Sequence, residues 1–365
     1  MDSLGAERCW AEIDRGALRH NAQVARKRLG EGAELLAVVK ANAYGHGMIE
    51  VAQALRDDAD LFGVANLHEA HELRLSGIQY PVLILGPALP EEREAIVRDG
   101  FIPTVSSFEE AREFSGAAAG INFTIDTGMG RMGCWHEEAV AELLEIAAIP
   151  NLKVHSISTH LPVADEDAIF TEEELGLFTR LVRQMRAQVP GDYKAHVLLS
   201  AGILGFARHR FEIARAGLML YGSSPLPNEQ RLLQPVMTVK SRIALLRDLP
   251  AGRSVSYGRT FTTARETKVA TISAGYADGF PRSLSNRDAA VLLGGKRCPV
   301  LGRITMDLTM VDVSAVGNPR IGDEVVLIGR QGDEEILAAE VAARAGTIAW
   351  EIFTGIGSRV RRVYL

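Results

Sequence analysis

Leu35-Leu36-Ala37-Val38-Val39 runs apolar without a break, stops at Lys40, and passes through Ala41-Asn42-Ala43-Tyr44-Gly45-His46-Gly47 into a stretch of helical period that reaches Leu55. A short, wholly apolar run followed by a turn and a helix is how a parallel strand covered on both faces reads in sequence. The same unit recurs along residues 30–217. Further apolar runs stand at Leu61–Ala65, Val82–Leu85, Ile102–Val105, Ile121–Ile125, Val154–Ser158, His196–Leu199 and Phe211–Ala214. The intervening period predicts helices at Gly16–Leu29, Gly47–Leu55, Leu67–Ser76, Pro90–Asp99, Phe108–Ser115, His136–Ala147 and Glu172–Gln188, and a short one within Ala201–Arg208. Eight strands alternating with helices either close into a barrel or open as a doubly wound sheet, and the count of eight favours the barrel. So do the reactive side chains: Lys40, His160, Ser200 and Arg215 each stand at the C-terminal end of one of these runs, where a barrel builds its site.

The expected architecture is therefore an α/β barrel, (β/α)8 and TIM-like, over residues 12–235. From 236 to 365 the texture changes to β runs at Val236–Leu246, Lys268–Ser273, Ala290–Leu293, Pro299–Ile304 and Glu324–Ile328, with one amphipathic helix at Ile336–Ala345. This predicts a second, mainly β domain. The run Cys9–Ile13 has no place among the eight barrel strands, so segment 8–13 is expected to pair with that domain.

Composition bounds the function. At 365 residues, 47% hydrophobic and 24% charged, the chain has ordinary globular proportions. Its 46 acidic against 40 basic side chains leave a net charge of −6, with no basic stripe for a phosphate backbone, so nucleic acid is excluded as a partner. No apolar stretch is long enough to cross a membrane, and Met1–Gly5 carries no targeting pattern, so the expected location is the cytoplasm. Cys9, Cys134 and Cys298 are scattered and lack ligand spacing, which argues against a disulfide framework and against a metal site.

Lys40, at the end of an apolar strand, can lie partly desolvated at a barrel mouth, where a lowered pKa frees its amine for imine chemistry; by position alone, an ordinary solvated strand-end lysine is the stronger reading. Gly217 and Gly222 bracket Leu218–Tyr221 after the eighth run, where barrels commonly hold a phosphate on backbone N–H groups, and Ser200 opens a short helix that can serve the same anion. An amine for an aldehyde beside a cradle for a phosphate points to pyridoxal 5'-phosphate. Arg131, in the glycine-rich loop Asp126-Thr127-Gly128-Met129-Gly130-Arg131-Met132-Gly133, suits a substrate carboxylate or a surface ion pair. Tyr276, in Gly275-Tyr276-Ala277-Asp278-Gly279, suits an interface or, beside such a site, a base.

With these residues in place the chain resembles the alanine racemase family along essentially its full length. Ala37–Gly47 looks like that family's cofactor-lysine signature. It is followed in order by the 126–133 loop, Thr159-His160, Ala214-Arg215-Ala216-Gly217, Val255-Ser256-Tyr257-Gly258, Gly275–Gly279 and Gly302-Arg303-Ile304-Thr305-Met306-Asp307. The resemblance implies a racemase that interconverts L- and D-alanine by two-base proton transfer on a pyridoxal phosphate aldimine, working as a homodimer with shared active sites. Lys40 and Tyr276 would be the catalytic bases. Lys40, Tyr44, His160, Ser200, Arg215, Gly217, Leu218 and Ser358 would bind the cofactor, and Arg131, Met306 and Asp307 the substrate. His160 would also support the catalytic tyrosine, and His160 and Arg215 are the candidate cations for lowering the tyrosine's pKa.

Two departures from the family pattern bear on function. Thr124 replaces a lysine that in many members orients the loop arginine. Ser358 replaces a tyrosine that helps close the pocket, which leaves room for serine beside alanine as a substrate and makes a broader serine/alanine racemase the alternative. A basic amino-acid decarboxylase and a non-catalytic pyridoxal-phosphate carrier are the remaining alternatives. The first lacks its Glu-Pro-Gly-Arg segment here, and the second resembles only a barrel half.

Overall fold

The computed structural model describes residues 7–118 and 120–365; Met1–Gly5, whose sequence shows no targeting pattern, lie outside the described residues. The chain divides into two compact units: one of Leu18–Ala43 and Met48–Gln234, the other of residues 7–17, Tyr44–Gly47 and Pro235–Leu365.

In the first unit the strands are Glu34–Val38, Leu61–Val64, Val82–Pro87, Ile102–Val105, Ile121–Asp126, Val154–Ser158, Lys194–His196 and Ile213–Ala216. From the first to the seventh each pairs in parallel with the next, and Ile213–Ala216 returns to lie beside Glu34–Val38 with Arg215 opposite Leu36. Between the seventh and eighth strands the ladder gives way to the bond from Arg215 N–H to the Leu198 carbonyl, 2.8 Å. The result is a nearly closed eight-stranded parallel barrel. Leu35, Leu36, Ala37, Phe62, Leu83 and Phe123 are fully buried in it, as strands covered on both faces require.

The interior is not wholly apolar. Asn122 Nδ2 donates to Thr104 Oγ1 (3.1 Å) and Ser158 Oγ (3.0 Å), and Asn122 Oδ1 accepts from Ser156 Oγ (3.0 Å). Buried amides persist only when satisfied in this way.

Several boundaries differ from the sequence reading, each for a local reason. The seventh strand ends at His196 rather than Leu199, because the chain turns there into the helix Ser200–Gly205. Arg215 lies within the eighth strand rather than after it. The helix expected from Glu172 begins at Ala168, where the Asp167 carboxylate caps it by accepting the N–H groups of Ile169 and Phe170. Pro299–Ile304 is not a strand: Lys296–Pro299 pairs with Ala290–Leu293, and the chain then bends at Gly302, whose φ of +68° sets its backbone against Val255 O. The strands Thr309–Asp312 and Arg361–Tyr364 and the helix Ala349–Gly355 carry no clear sequence signal.

In the second unit the long strand Met237–Leu249 is central, alternating buried and half-exposed residues over its first half. Cys9–Ile13 pairs with it antiparallel and with Arg361–Tyr364 in parallel. Trp10 is 1% exposed between them, under the Arg242 guanidinium.

Candidate active site

Lys40 stands just past the end of the first barrel strand, and the backbone beyond it is unusual. Ala41, Asn42, Ala43 and Tyr44 all take left-handed conformations, with φ of 53°, 53°, 52° and 51°. Such angles cost L-residues about 1–2 kcal/mol each, so four in a row persist only where the surroundings enforce them. Glu69 does part of that, accepting the N–H groups of Ala41 (2.8 Å) and Ala65 (2.7 Å), and Asn42 Oδ1 accepts from Met48 N–H (2.9 Å). Burial lowers the Lys40 pKa, the Arg131 and Arg215 cations push it the same way, and Glu69 opposes them. These effects shift its balance toward the neutral amine.

Arg215, 7% exposed, donates from Nη2 to the carbonyls of Thr159 (2.6 Å) and Val197 (3.3 Å), and from Nη1 to His196 Nδ1 (2.7 Å). A guanidinium only donates, so His196 Nδ1 must accept. Its proton then sits on Nε2, 3.0 Å from Asn122 Oδ1. Burial, with Arg215 beside it, holds His196 well below the usual histidine range, so it stays neutral. The interior amide network thus ends on Arg215 and fixes its direction. Burial and Arg131 lower Arg215 to about 10, which leaves it a cation at neutral pH. His160 is pushed down to about 3 by burial and then by Arg215, Arg131 and Lys40. That shift favours the neutral imidazole, a group that can donate or accept a hydrogen bond but carries no positive charge.

At the neighbouring corner Ser200 Oγ accepts the N–H groups of Gly217 (3.0 Å) and Met219 (3.2 Å). Its own proton has no acceptor among the described residues. The turn Leu218–Tyr221 starts at Gly217, and its Tyr221 hydroxyl donates to the Val38 carbonyl, 2.8 Å away, tying it to the Lys40 strand. First-turn N–H groups have no partner within their own helix, and here Ser200 Oγ takes two of them.

The 126–133 loop is held from inside. Asp126 Oδ1 accepts from Gly128 (2.9 Å) and Met129 (2.8 Å), and Oδ2 from Gly130 (2.8 Å). Arg131 then stands exposed with no hydrogen bond or ion pair to any described residue. Thr124 is buried below.

The remaining sequence-derived residues belong to the β-rich unit. The N–H groups of Tyr276 and Ala277 donate to the carbonyls of Thr305 and Met306, both at 3.0 Å. Gly275 permits this, since a Cβ there would lie 2.3 and 2.4 Å from those two oxygens. Arg359 bridges Asp278 (2.9 Å) and Asp307 (3.0 Å), which draws in the adjacent Ser358. Tyr276, Met306, Asp307 and Ser358 therefore form one cluster. Tyr44 also belongs to this unit; its hydroxyl is pushed up to about 12 by burial.

Tyr257 lies in a segment tied to Arg303, three residues before Met306, although its sequence motif alone gives its side chain no role. Ser256 before it has φ +65° and ψ −175°, a region almost reserved for glycine, and Gly258 and Arg259 after it have φ of +72° and +50°. Ser256 Oγ donates to the Arg303 carbonyl, and Gly258 lies against the Arg303 guanidinium. Tyr257 is 71% exposed, Met306 53% and Tyr276 40%.

Among the described residues no group of three or more His, Cys, Asp and Glu is arranged for a metal ion, and no helix is long and apolar enough to cross a membrane.

Comparison with known proteins covers nearly the whole chain. Residues 13–225 match the family model described as alanine racemase, N-terminal domain, and residues 236–364 the one described as alanine racemase, C-terminal domain. The alanine racemase of Methylacidiphilum infernorum is 41% identical over 364 residues, covering 98% of this chain and 92% of that protein. That of Halothermothrix orenii is 39% identical, covering 97% and 96%. Among solved structures, the alanine racemase from E. faecalis superposes with a TM-score of 0.91 at 32% identity over 100% of both chains. The enzyme from Streptomyces lavendulae gives 0.89 at 36%, covering 98% and 97%.

Proposed function

The chain belongs to the alanine racemase family and has that family's isomerase activity on alanine, and we propose that it works with pyridoxal 5'-phosphate held on Lys40 and one base on each face of the substrate. The observation that carries this reading is Lys40 itself: an amine with a lowered pKa at the start of an enforced left-handed turn, near a buried guanidinium and a corner where the Ser200 hydroxyl proton has no acceptor among the described residues. Those three features match the aldehyde, ring nitrogen and phosphate of the cofactor. When bound, it supplies a carbonyl for attachment and a conjugated ring that takes up the charge left at the substrate Cα.

The chain's own residues do the rest. We assign the phosphate to Ser200, to the N–H groups of Gly217 and Leu218, and to Tyr44 and Ser358. Arg215 is assigned to the ring nitrogen. Because it keeps its own proton, it discourages protonation there and limits how deeply the ring draws charge. Arg131, without a hydrogen bond or ion pair among the described residues, is assigned to bind the substrate carboxylate with its fork of donors. Lys40 Nζ takes or returns the proton at Cα on one face.

The opposite face goes to a tyrosine of the β-rich unit, supplied by a second copy of the chain. The exposure of Tyr257, Tyr276 and Met306 in the β-rich unit supports a surface that another subunit covers, with Met306 and Asp307 completing the substrate pocket. Tyr276 is the base that the sequence resemblance selects. A specific observation favours Tyr257: the backbone strain lies around it, whereas Tyr276 sits in an ordinary turn, and enforced strain marks functional positions. In either case we assign His160 to support the tyrosine by hydrogen bonding and Arg215 to supply positive charge at the site.

The test is direct. Purified protein loaded with pyridoxal phosphate is expected to bring L-alanine to zero optical rotation without releasing carbon dioxide. Gas evolution would support a decarboxylase, and cofactor uptake with neither change a carrier. Ser358 in place of a bulky aromatic admits a hydroxymethyl group, so L-serine is expected to lose rotation as well. Ser358→Tyr is expected to lower the serine-to-alanine ratio of kcat/KM by about tenfold, the scale of a single pocket contact; an unchanged ratio removes Ser358 from specificity.

A further inference from the structure

Glu174 lies on the helix Ala168–Gln188, 3% exposed, against the loop that presents Arg131. Its Oε1 is 3.1 Å from Thr127 Oγ1, which is 2.9 Å from Thr159 Oγ1, and the Thr159 carbonyl accepts Arg215 Nη2. Gly128, at φ +153°, brings the loop backbone onto the same carboxyl group: a Cβ there would meet Oε1 at 2.9 Å and the Phe170 ring at 3.3 Å. The other oxygen, Oε2, is buried without a hydrogen-bond partner among the described residues.

A carboxylate placed this way has one oxygen satisfied and the other stranded. It also faces Asp126, whose own charge is already spent on three loop N–H groups. No ion-pair partner among the described residues stands against it; its helix neighbour Glu172 is taken up by Arg208 and His209. A neutral carboxyl group avoids most of this cost. Its O–H donates to Thr127 Oγ1, which passes a hydrogen bond on to Thr159, and a lone neutral carbonyl oxygen is far cheaper to bury than half a charge.

We propose that Glu174 is a positioning residue that works as a neutral acid, holding the 126–133 loop so that Arg131 meets the substrate carboxylate, and releasing that hold when it ionises. The proposal rests on the reading of Arg131 as the carboxylate ligand. Burial raises the Glu174 carboxyl to about 7, against the Thr127 hydrogen bond and with Asp126 adding to the rise. An acid whose folded pKa is raised stabilises the fold only while protonated. The wild type should therefore lose stability as pH rises from the ordinary carboxyl range through about 7, and not regain it above.

The experiment measures kcat and KM for L-alanine from about pH 6 to about pH 9 in the loaded wild type, E174Q and E174A, with urea midpoints over the same range. The KM of the wild type is expected to rise about tenfold relative to E174Q across that range, at similar kcat, following the ionised fraction. E174Q mimics the neutral acid and keeps a low KM, E174A has a raised KM throughout, and the wild type loses stability to E174Q toward high pH. A constant ratio of wild-type to E174Q KM, or an E174Q that behaves like E174A, overturns the proposal. Arg131→Ala separates the two claims. If it leaves KM unchanged, the reading of Arg131 fails. If it raises KM while the wild-type to E174Q ratio stays flat, the role of Glu174 fails alone.

Discussion

Replacing Lys40 by alanine is expected to lower kcat/KM for alanine by at least a thousandfold, because one side chain serves as both attachment point and base. The loss should be equal from L- and from D-alanine: the equilibrium constant of a racemisation is unity, so kcat/KM in the two directions must fall together. Protein chemistry reads the same residue independently of turnover. Borohydride is expected to fix pyridoxal phosphate irreversibly to the peptide carrying Lys40 in the wild type and to nothing in K40A. Ser200 and Arg215 remain in the variant, so it should still bind the free cofactor. A K40A protein with activity within tenfold of wild type would remove the lysine from the chemistry.

The second large effect separates the two tyrosines. Tyr257→Phe is expected to lower racemisation by about a hundredfold to ten-thousandfold, the usual worth of a positioned acid–base group, while Tyr276→Phe stays within about tenfold of wild type. Loss of one base does not slow the two directions unequally, for the equilibrium reason above. It does show in exchange of the α-hydrogen with solvent. With the tyrosine base gone, Lys40 still exchanges the proton of the enantiomer that presents it on its own face, while exchange from the other enantiomer collapses. If Tyr276→Phe gives that one-sided pattern and Tyr257→Phe does not, the base is Tyr276 and the strain around Tyr257 serves something else.

Much of this is legible in the sequence, in uneven ways. The eight barrel strands stand out because a strand buried on both faces must be apolar throughout, and Lys40, Ser200 and the 126–133 loop follow from their places at strand ends. The left-handed turn after Lys40 leaves no such trace: Ala41, Ala43 and Tyr44 are poor left-handed residues, held there by Glu69 and other distant partners rather than by local preference. Ser256 hides its strain in the same way. The network through Asn122 and His196 is equally silent, since polar residues in a strand read as its solvent face until the barrel closes around them. Glu174 comes after Glu172 and Glu173 and reads as one more solvated charge, although the helix turns it alone inward. Sequence spacing cannot show which motifs meet. The zip of Tyr276 and Ala277 onto Thr305 and Met306, locked by Arg359, explains why those separated stretches occur together.

The two-base arrangement is the centre of this account, and the isotope at Cα reports on it most directly. L-alanine is converted by the loaded wild-type protein in heavy water, and the D-alanine formed in the earliest turnovers is isolated and weighed by mass spectrometry. With Lys40 on one face and a tyrosine on the other, the proton taken from L-alanine is not the one delivered, so early D-alanine should carry solvent deuterium at Cα almost completely. Early D-alanine that keeps a substantial share of the original α-hydrogen would mean that a single group removes and returns the same proton, and would contradict the assignment of a second base.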